Sequence, residues 1–391
     1  MDNPLVIFVS PQFYPIVGGY ERAAERLAVG LSRAGHSVCV LTERRNPSWP
    51  RVETRSGFHV RRWWCLCRPK VHILTSMIGM LVLLTTLARG ARVWHVHQYG
   101  VHAAAAVALG RLTASAVVLK LTSSGANGIG AATGAMPVWG PLVKRLLLRA
   151  DVVVATTEEL AAEASAFGYP RDRIHVIGNA ADTQAFTPGT ATQRREARLA
   201  LGIADRPTAI AVGRLVGAKN FAMLIRAWHR QASAGLLMWQ LVIVGDGAER
   251  RALQALIDEL GVVDSVRLIG PRTDLPLWYR AADLYVSSSD YEGLSNTLLE
   301  AMASGLPVVA TAVSGTAALV GRTGAGIVVP VGDEEALAAA LGTMARDHAE
   351  AAEMGRRARA AVEQNYSVEV VTQAHVRLYE SLIARRQKRR A

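Results

Sequence analysis

The sequence predicts an α/β protein made of two Rossmann-like, doubly wound domains facing across a cleft. Short apolar runs alternate with helical stretches, the pattern that parallel βαβ units leave in a sequence. The pattern stops at a polar segment near the middle of the chain and then starts again. With 391 residues, half of them hydrophobic, the chain is long enough to fill two cores.

The first half carries seven strand candidates: LVIFVS (5–10), SVCVLT (37–42), FHVRRW (58–63), VWHVH (93–97), AVVLKL (116–121), DVVVAT (151–156) and RIHVI (173–177). Between the first two, YERAAERLAVGLSRAG (20–35) has helical apolar spacing and ends at Gly35, a natural stop. NAADTQAFTPGTATQ (179–193), rich in turn and small polar residues, reads as the linker. Six strand candidates follow: TAIAVG (208–213), QLVIVGDG (240–247), SVRLIG (265–270), ADLYVSS (282–288), LPVVAT (306–311) and GIVVP (326–330). The chain closes on one more helical pattern, VEVVTQAHVRLYESLIARR (368–386).

The net charge of +12 is concentrated. Residues 43–70 hold eight Arg or Lys against two Glu, and RRQKRR (385–390) adds five cations. Such clustering points to one acidic partner surface. Trp49, Trp63 and Trp64 interleave the first segment, and VHILTSMIGMLVLLTTLA (71–88) follows without a formal charge. An 18-residue helix is only about 27 Å long, short of the roughly 30 Å hydrocarbon core. Residues 71–88 are therefore read either as a core helix or as one lying in a lipid interface. Basic residues and tryptophans beside it favour an anionic membrane surface over nucleic acid, for which no reading module is present.

Three cysteines, Cys39, Cys65 and Cys67, make no disulfide framework and suggest a reducing, cytoplasmic setting. Cys65-Leu66-Cys67 has no second pair at zinc-finger spacing, so no metal site is expected there. MDNPLVIFVS carries an acid early and its apolar run is too short for a secretory signal, so it reads as a first strand.

Chemistry concentrates in the second half. EGLSNTLLE (292–300) places two glutamates eight positions apart around a turn that opens a helix. Helix starts bind phosphate, and the flanking carboxylates suit sugar hydroxyls. AIAVGRLVGAKNFAMLI (209–225) runs from a buried strand through Gly213-Arg214 to Lys219-Asn220 and a helix. Two cations after a strand, where ligands collect in open α/β sheets, suit a diphosphate. Val244-Gly245-Asp246-Gly247 ends another strand. In the first half, PQFYPIVGGYER (11–22) joins the first strand to the first helix, and Gly18-Gly19 permits positive φ and close approach by a phosphate. G-x-G-x-x-G and D-x-D are both absent.

Taken together, GRL…KN, GDG and E-x7-E resemble the donor-binding half of the GT4-type retaining glycosyltransferases, GT-B enzymes that use nucleotide sugars. The resemblance extends through most of the chain. It implies an acceptor-side domain over 1–185, a nucleotide-sugar domain over 186–366, and a final helix, about 367–391, returning to the first domain. The two basic segments would then share one face. Arg214, Lys219 and Glu292 are the expected catalytic residues, their cations taking the place of a metal on the leaving diphosphate. Gly19, Gly245, Asp246, Gly247, Arg272, Gly293, Leu294, Ser295, Asn296 and Glu300 are expected around the donor, with Glu300 on the ribose and Arg272 beside the base. IGNAAD (177–182) resembles the family's hinge.

One departure concerns the acceptor side. Where the family often carries a His, this chain has Thr122-Ser123-Ser124, hydroxyls that hydrogen-bond a sugar but cannot act as a base near pH 7. His97 is a possible substitute, or a structural residue. No cofactor is expected. The implied partners are a UDP- or GDP-sugar and a glycan or lipid-linked acceptor, with the protein cytoplasmic and peripheral at the inner membrane face. The alternatives are a nucleotide-sugar epimerase on the same fold and a non-catalytic sugar-nucleotide-binding protein.

Overall fold

The computed structural model describes residues 5–388 other than 17, 69–70, 88–89, 114, 124–127, 137–138 and 234–237. Lys70, Ala88, Ser124, Arg389 and Arg390, which figure in the sequence reading, lie outside the described residues. The chain divides into two compact units, 1–180 with 368–391, and 181–367.

The first unit is built on eight strands: β1 (Leu5–Val9), β2 (Val38–Arg44), β3 (Val52–Arg55), β4 (Phe58–Trp64), β5 (Ala91–His97), β6 (Ala116–Leu121), β7 (Val152–Ala155) and β8 (Ile174–Val176). Their order is β3-β4-β2-β1-β5-β6-β7-β8, all parallel except β3. β1 lies inside the sheet, which explains its unbroken apolar run. Its alternate residues feed opposite cores: Ile7 and Val9 join Trp94 and Met80, while Val6 and Phe8 join Leu27 and Tyr379.

The final helix, Val368–Lys388, packs in this unit against the helix Gly19–Arg33. Gly30 lies so close to it that a Cβ would sit 2.0 Å from Thr372 Oγ1. Tyr379 Oη meets His95 Nδ1 at 2.5 Å, and Arg386 pairs with Asp151 at 2.7 Å.

That last pair corrects the single basic face. Asp151 precedes β7 at the amino ends of the strands, whereas Arg44 closes β2 at their carboxyl ends. Arg386 of the tail and Arg44 of the first segment therefore stand at opposite ends of one sheet. Several cations of the first are also taken up internally, Arg45 by Glu43, Arg55 by Glu25 and Arg62 by Glu53.

The segment after β4 forms the helix His72–Leu87. Ser76, Met80 and Leu84, each four residues apart, face inward. Ile73, Leu74, Ile78 and Val82 are exposed, between 50% and 66%. The helix thus covers the sheet with one stripe and turns an apolar stripe outward. No described helix is long and apolar enough to cross a membrane.

The second unit has six strands: β9 (Thr208–Val212), β10 (Gln240–Val244), β11 (Val266–Gly270), β12 (Leu284–Ser287), β13 (Val308–Thr311) and β14 (Gly326–Val329). They are all parallel, in the order β11-β10-β9-β12-β13-β14. Ile210 and Val212 point into one core, Ala209 and Ala211 into the other. The order reverses between β9 and β12, which makes their carboxyl ends the crevice where open α/β sheets take ligands.

Arg198, on the helix Ala191–Ala200, fastens the amino end of this sheet. Its Nε donates to Ala281 O at 3.0 Å and its guanidinium pairs with Asp283 at 2.5 Å, while Asp283 also accepts from Thr208 N at 2.8 Å. Asp283→Ala would leave the mostly buried Arg198 guanidinium with Asp205 alone, 3.3 Å away, and Thr208 N without its acceptor, a loss of about 2 kcal/mol. The expected result is a lower urea midpoint for the full chain, with the slope unchanged.

Candidate active site

Three loops meet at the carboxyl ends of β9, β10 and β12. After β9 the chain passes Gly213 and Arg214, makes a short 3-10 turn at Gly217–Lys219, and enters the helix Phe221–Ser233 through Asn220. Asn220 is left-handed at φ 44°, a conformation Asn tolerates, and its Oδ1 accepts from Met223 N at 3.2 Å. Lys219 folds back over Gly213, where a Cβ would stand 3.2 Å from its Cε. Arg214 is exposed and makes no ion pair among the described residues.

After β12 come Ser288 and Ser289, both buried, then exposed Asp290 and Tyr291, and Glu292. This loop is tied to the first at four points. Lys219 Nζ forms an ion pair with Glu292. Ser288 Oγ donates to Lys219 O at 2.8 Å, Asp290 N to Ala218 O at 2.9 Å, and Asn220 Nδ2 to Asp290 Oδ1 at 2.9 Å. Ser289 Oγ adds a bond to Glu292 at 2.9 Å. Arg214, Lys219 and Glu292 thus gather at the switch point, as the strand order requires.

Burial, and then Arg214, bring the Lys219 ammonium down to about 8. The Glu292 carboxylate in contact with it favours the charged form and opposes that fall. The net result is a lysine that stays charged at neutral pH.

The Gly-Asp-Gly turn after β10 lies against the β9 loop. A Cβ on Gly245, whose φ is 147°, would stand 1.8 Å from Gly213 O, and one on Gly247 would stand 2.3 Å from Leu215 O. Leu215 N donates to Asp246 O at 2.9 Å. The space freed by these glycines is occupied by the neighbouring backbone, so they set the position of Arg214 and Lys219. Arg272 follows β11, bidentate on Asp274 at 2.9 and 2.7 Å and 5.5 Å from the Trp278 ring.

Gly293 and Leu294 lead to Ser295, which precedes the helix Asn296–Ala303. Ser295 does not cap that helix with its side chain and instead meets Thr297 Oγ1 at 3.0 Å. Glu300, one turn further on, is fully enclosed and accepts from Tyr279 Oη at 3.4 Å.

In the first unit, Gly19 opens the helix Gly19–Arg33 and is exposed. Gly18 is extended at φ −142°, so no positive φ is needed; its missing Cβ makes room for the Glu21 carboxylate, 2.4 Å away. Thr122 and Ser123 follow β6, half-buried. His97, at the end of β5, is fully buried and stacks on His95 at 4.7 Å. Burial, Lys120 and His375 push its imidazole well below the usual range. It is a neutral core residue, which is the structural reading of this position.

The serines before Glu292 and the left-handed Asn220 were missed as site residues. The run SSSD (287–290) at the end of a strand was the available signal. A cavity of about 540 Å3, lined by Trp239, Asp283, Pro307 and His348 among others, lies at the opposite, amino ends of the strands.

Comparison with known proteins agrees with this geometry. Residues 206–347 match the family described as glycosyl transferases group 1, and residues 18–180 match the glycosyl transferase 4-like domain. The chain is 32% identical over 231 residues to the lipopolysaccharide core biosynthesis glycosyltransferase LpsE of Rhizobium meliloti, covering 59% of this chain and 64% of that protein. That match spans just under two thirds of the relative's length. It is 29% identical to the GDP-mannose-dependent alpha-(1-6)-phosphatidylinositol monomannoside mannosyltransferase of Mycolicibacterium smegmatis, over 99% of this chain and 100% of that one. In fold it resembles sucrose-phosphate synthase from Thermosynechococcus elongatus, with a TM-score of 0.83 at 24% identity over 98% and 100% of the two chains. With both halves matched and a basic, carboxylate-flanked crevice at the sheet's switch point, the chain belongs to the group 1, GT4-type family of GT-B glycosyltransferases.

Proposed function

We propose that the protein transfers a sugar from a UDP- or GDP-sugar to a glycan or lipid-linked acceptor, with retained anomeric configuration and without a metal on the diphosphate. The observation that carries this reading is the unpaired Arg214 beside the Lys219–Glu292 pair at the β9/β12 switch point. The names of the lipopolysaccharide-core and GDP-mannose-dependent relatives support the donor and acceptor classes.

In this reading the donor diphosphate lies between Arg214, Lys219 and the backbone leading into the helix at Asn296, whose N-terminus favours negative charge. The diphosphate draws the ammonium of Lys219 from Glu292, and Glu292 is released to the sugar hydroxyls. Glu300 and Arg272 serve the ribose and base. The bond from the anomeric carbon to the phosphate oxygen breaks as the acceptor oxygen bonds to that carbon from the same face. The acceptor's proton passes to the departing phosphate, so no side-chain base is required. Arg214 and Lys219 stabilise the charge that builds on that leaving group. The first unit serves the acceptor, with Thr122 and Ser123 after β6, while Gly19 is assigned to the donor diphosphate.

The acceptor class also rests on the helix His72–Leu87. Its outward Ile73, Leu74, Ile78 and Val82 belong to a helix whose first residue, His72, donates its N–H to the carbonyl of exposed Arg68, and that packs Gly79 against the backbone of exposed Trp64. An apolar stripe with tryptophan and cations at its margin suits an anionic, cytoplasm-facing membrane surface, where the protein is peripheral.

A thermal-shift screen against UDP-, GDP- and ADP-sugars is expected to give one strong response, and no response to any of them would overturn the reading. An epimerised donor formed without acceptor would replace it with isomerase chemistry. Arg214→Ala and Lys219→Ala should each cost about 3 kcal/mol in the transition state, a loss of roughly a hundredfold in rate. Nucleoside-diphosphate affinity should be retained below pH 8 and weaken as Lys219 loses its proton above about 8. Glu292→Gln removes the group that favours the charged lysine, so calorimetric titration should find that weakening at lower pH. In flotation with anionic vesicles, replacing Ile73, Leu74, Ile78 and Val82 by Ser should abolish binding without changing the thermal midpoint by more than a few degrees.

A further inference from the structure

Where β4 gives way to the helix His72–Leu87, three side chains with metal-binding chemistry converge. Cys65, Cys67 and His72 present ligand atoms that all lie within 4.8 Å of one another. The two sulfurs are 3.9 Å apart, far beyond a disulfide bond of about 2.05 Å. Around a tetrahedral metal with bonds of about 2.3 Å to sulfur, the edge between two thiolates is about 3.8 Å. The spacing is therefore that of two ligands on one ion.

Hydrogen bonds hold the three groups in place. Leu66 N, between the cysteines, donates to Thr75 Oγ1 at 3.0 Å, which pins the Cys-Leu-Cys turn to the helix. Cys65 Sγ rests 3.7 Å from Arg44 O and Cys67 Sγ 3.3 Å from Arg45 O, at the carboxyl end of β2. Glu43 Oε2 stands 3.2 Å from His72 Nε2 and 2.6 Å from Arg45 Nε, while Ser76 Oγ donates to Glu43 Oε1 at 2.6 Å. A carboxylate that orients an imidazole, itself held by further hydrogen bonds, is the usual support behind a metal-bound histidine. Gly79 lets the helix close on β4, since a Cβ there would be 2.1 Å from Trp64 O.

We propose that Cys65, Cys67 and His72 bind one zinc ion, oriented by Glu43, as a site separate from the sugar-transfer crevice. Two thiolates and an imidazole are a borderline-soft set that suits Zn2+ over Mg2+ or Ca2+. On binding, both thiols release their protons to water and the two thiolates neutralise the ion. Cys67 is exposed, so the fourth tetrahedral position opens to solvent and takes a water. The sequence reading set a metal aside because Cys65-Leu66-Cys67 has no second pair of cysteines. The fold supplies the third ligand from the first residue of the next helix. The ion fastens β2, β4 and the start of the helix that carries the outward apolar stripe.

The test uses the full-length chain, made metal-free under a phosphine reductant and titrated with Zn2+ against a chromogenic chelator, and with Co2+ followed by absorption. One equivalent of Zn2+ should bind with sub-micromolar affinity. Co2+ should give tetrahedral visible bands with thiolate charge transfer. Cys67→Ser and His72→Gln, at exposed and half-buried positions, should each weaken Zn2+ at least tenfold while retaining the wild-type circular dichroism. One equivalent of Zn2+ should also slow alkylation of Cys67 at least tenfold. Absence of stoichiometric uptake, a cobalt spectrum without thiolate bands, or unchanged affinity in both variants would overturn the proposal. So would a Cys65–Cys67 disulfide that persists under the reductant.

Discussion

The reversal of strand order between β9 and β12 is the constraint on which the candidate site depends. Parallel pairing sends the connections from these strands to opposite sides of the sheet, so no main chain bridges their carboxyl ends. Side chains and loop backbone close that gap instead. The Lys219–Glu292 pair and the Asn220–Asp290 bond cross it, and Ser288 seats the Lys219 carbonyl beneath them. Much of the ion pair lies away from solvent, where an unpaired partner would be costly. The pair therefore holds two loops together as well as holding the charges needed for an anionic ligand.

Close backbone contact is the second theme of the same crevice. The Gly-Asp-Gly turn after β10 fits against Gly213–Leu215 only because Gly245 and Gly247 lack side chains. A motif whose glycines look as if they serve a ligand here serves the neighbouring loop, and through it the cation that loop carries. The first unit shows a related economy at the end of β5. His95 and His97, with His375 and Tyr379 from the final helix, form a buried polar seam rather than a catalytic one. Burial keeps those rings neutral, as it must where a charge would have no water.

The helix His72–Leu87 connects fold to surface. It is uncharged and mostly apolar, yet only Ser76, Met80 and Leu84 are fully buried. Its inner stripe is narrow because the helix covers the sheet from one side, and no described residue buries Ile73, Leu74, Ile78 or Val82 on the other. The wide apolar remainder faces outward. Its starting point is set by Gly79 against Trp64 and by the polar cluster at Glu43 and His72.

Much of this was legible in the chain. All thirteen strand candidates correspond to strands, because a strand buried on both faces must be a short apolar run. The helix stop at Gly35 is a positive-φ glycine at 86°, as the pattern required. β3 was not legible. VETR is four residues of mixed character on a sheet edge, recognisable only with its Ser56-Gly57 hairpin turn, where both φ angles are positive.

By itself, then, the sequence determined two parallel α/β sheets and the residue types of an anion-binding crevice, since both are written in local periodicity and in strand-end motifs. Tertiary structure alone decided that Lys219 grips Glu292, that Glu300 and His97 are enclosed, that Arg386 of the tail and Arg44 stand at opposite ends of a sheet, and that His72 lies beside Cys65 and Cys67. These outcomes depend on which residues distant in the chain become neighbours, and on how much water remains around them. Strand order sets the first and packing sets the second, and neither has a local signature.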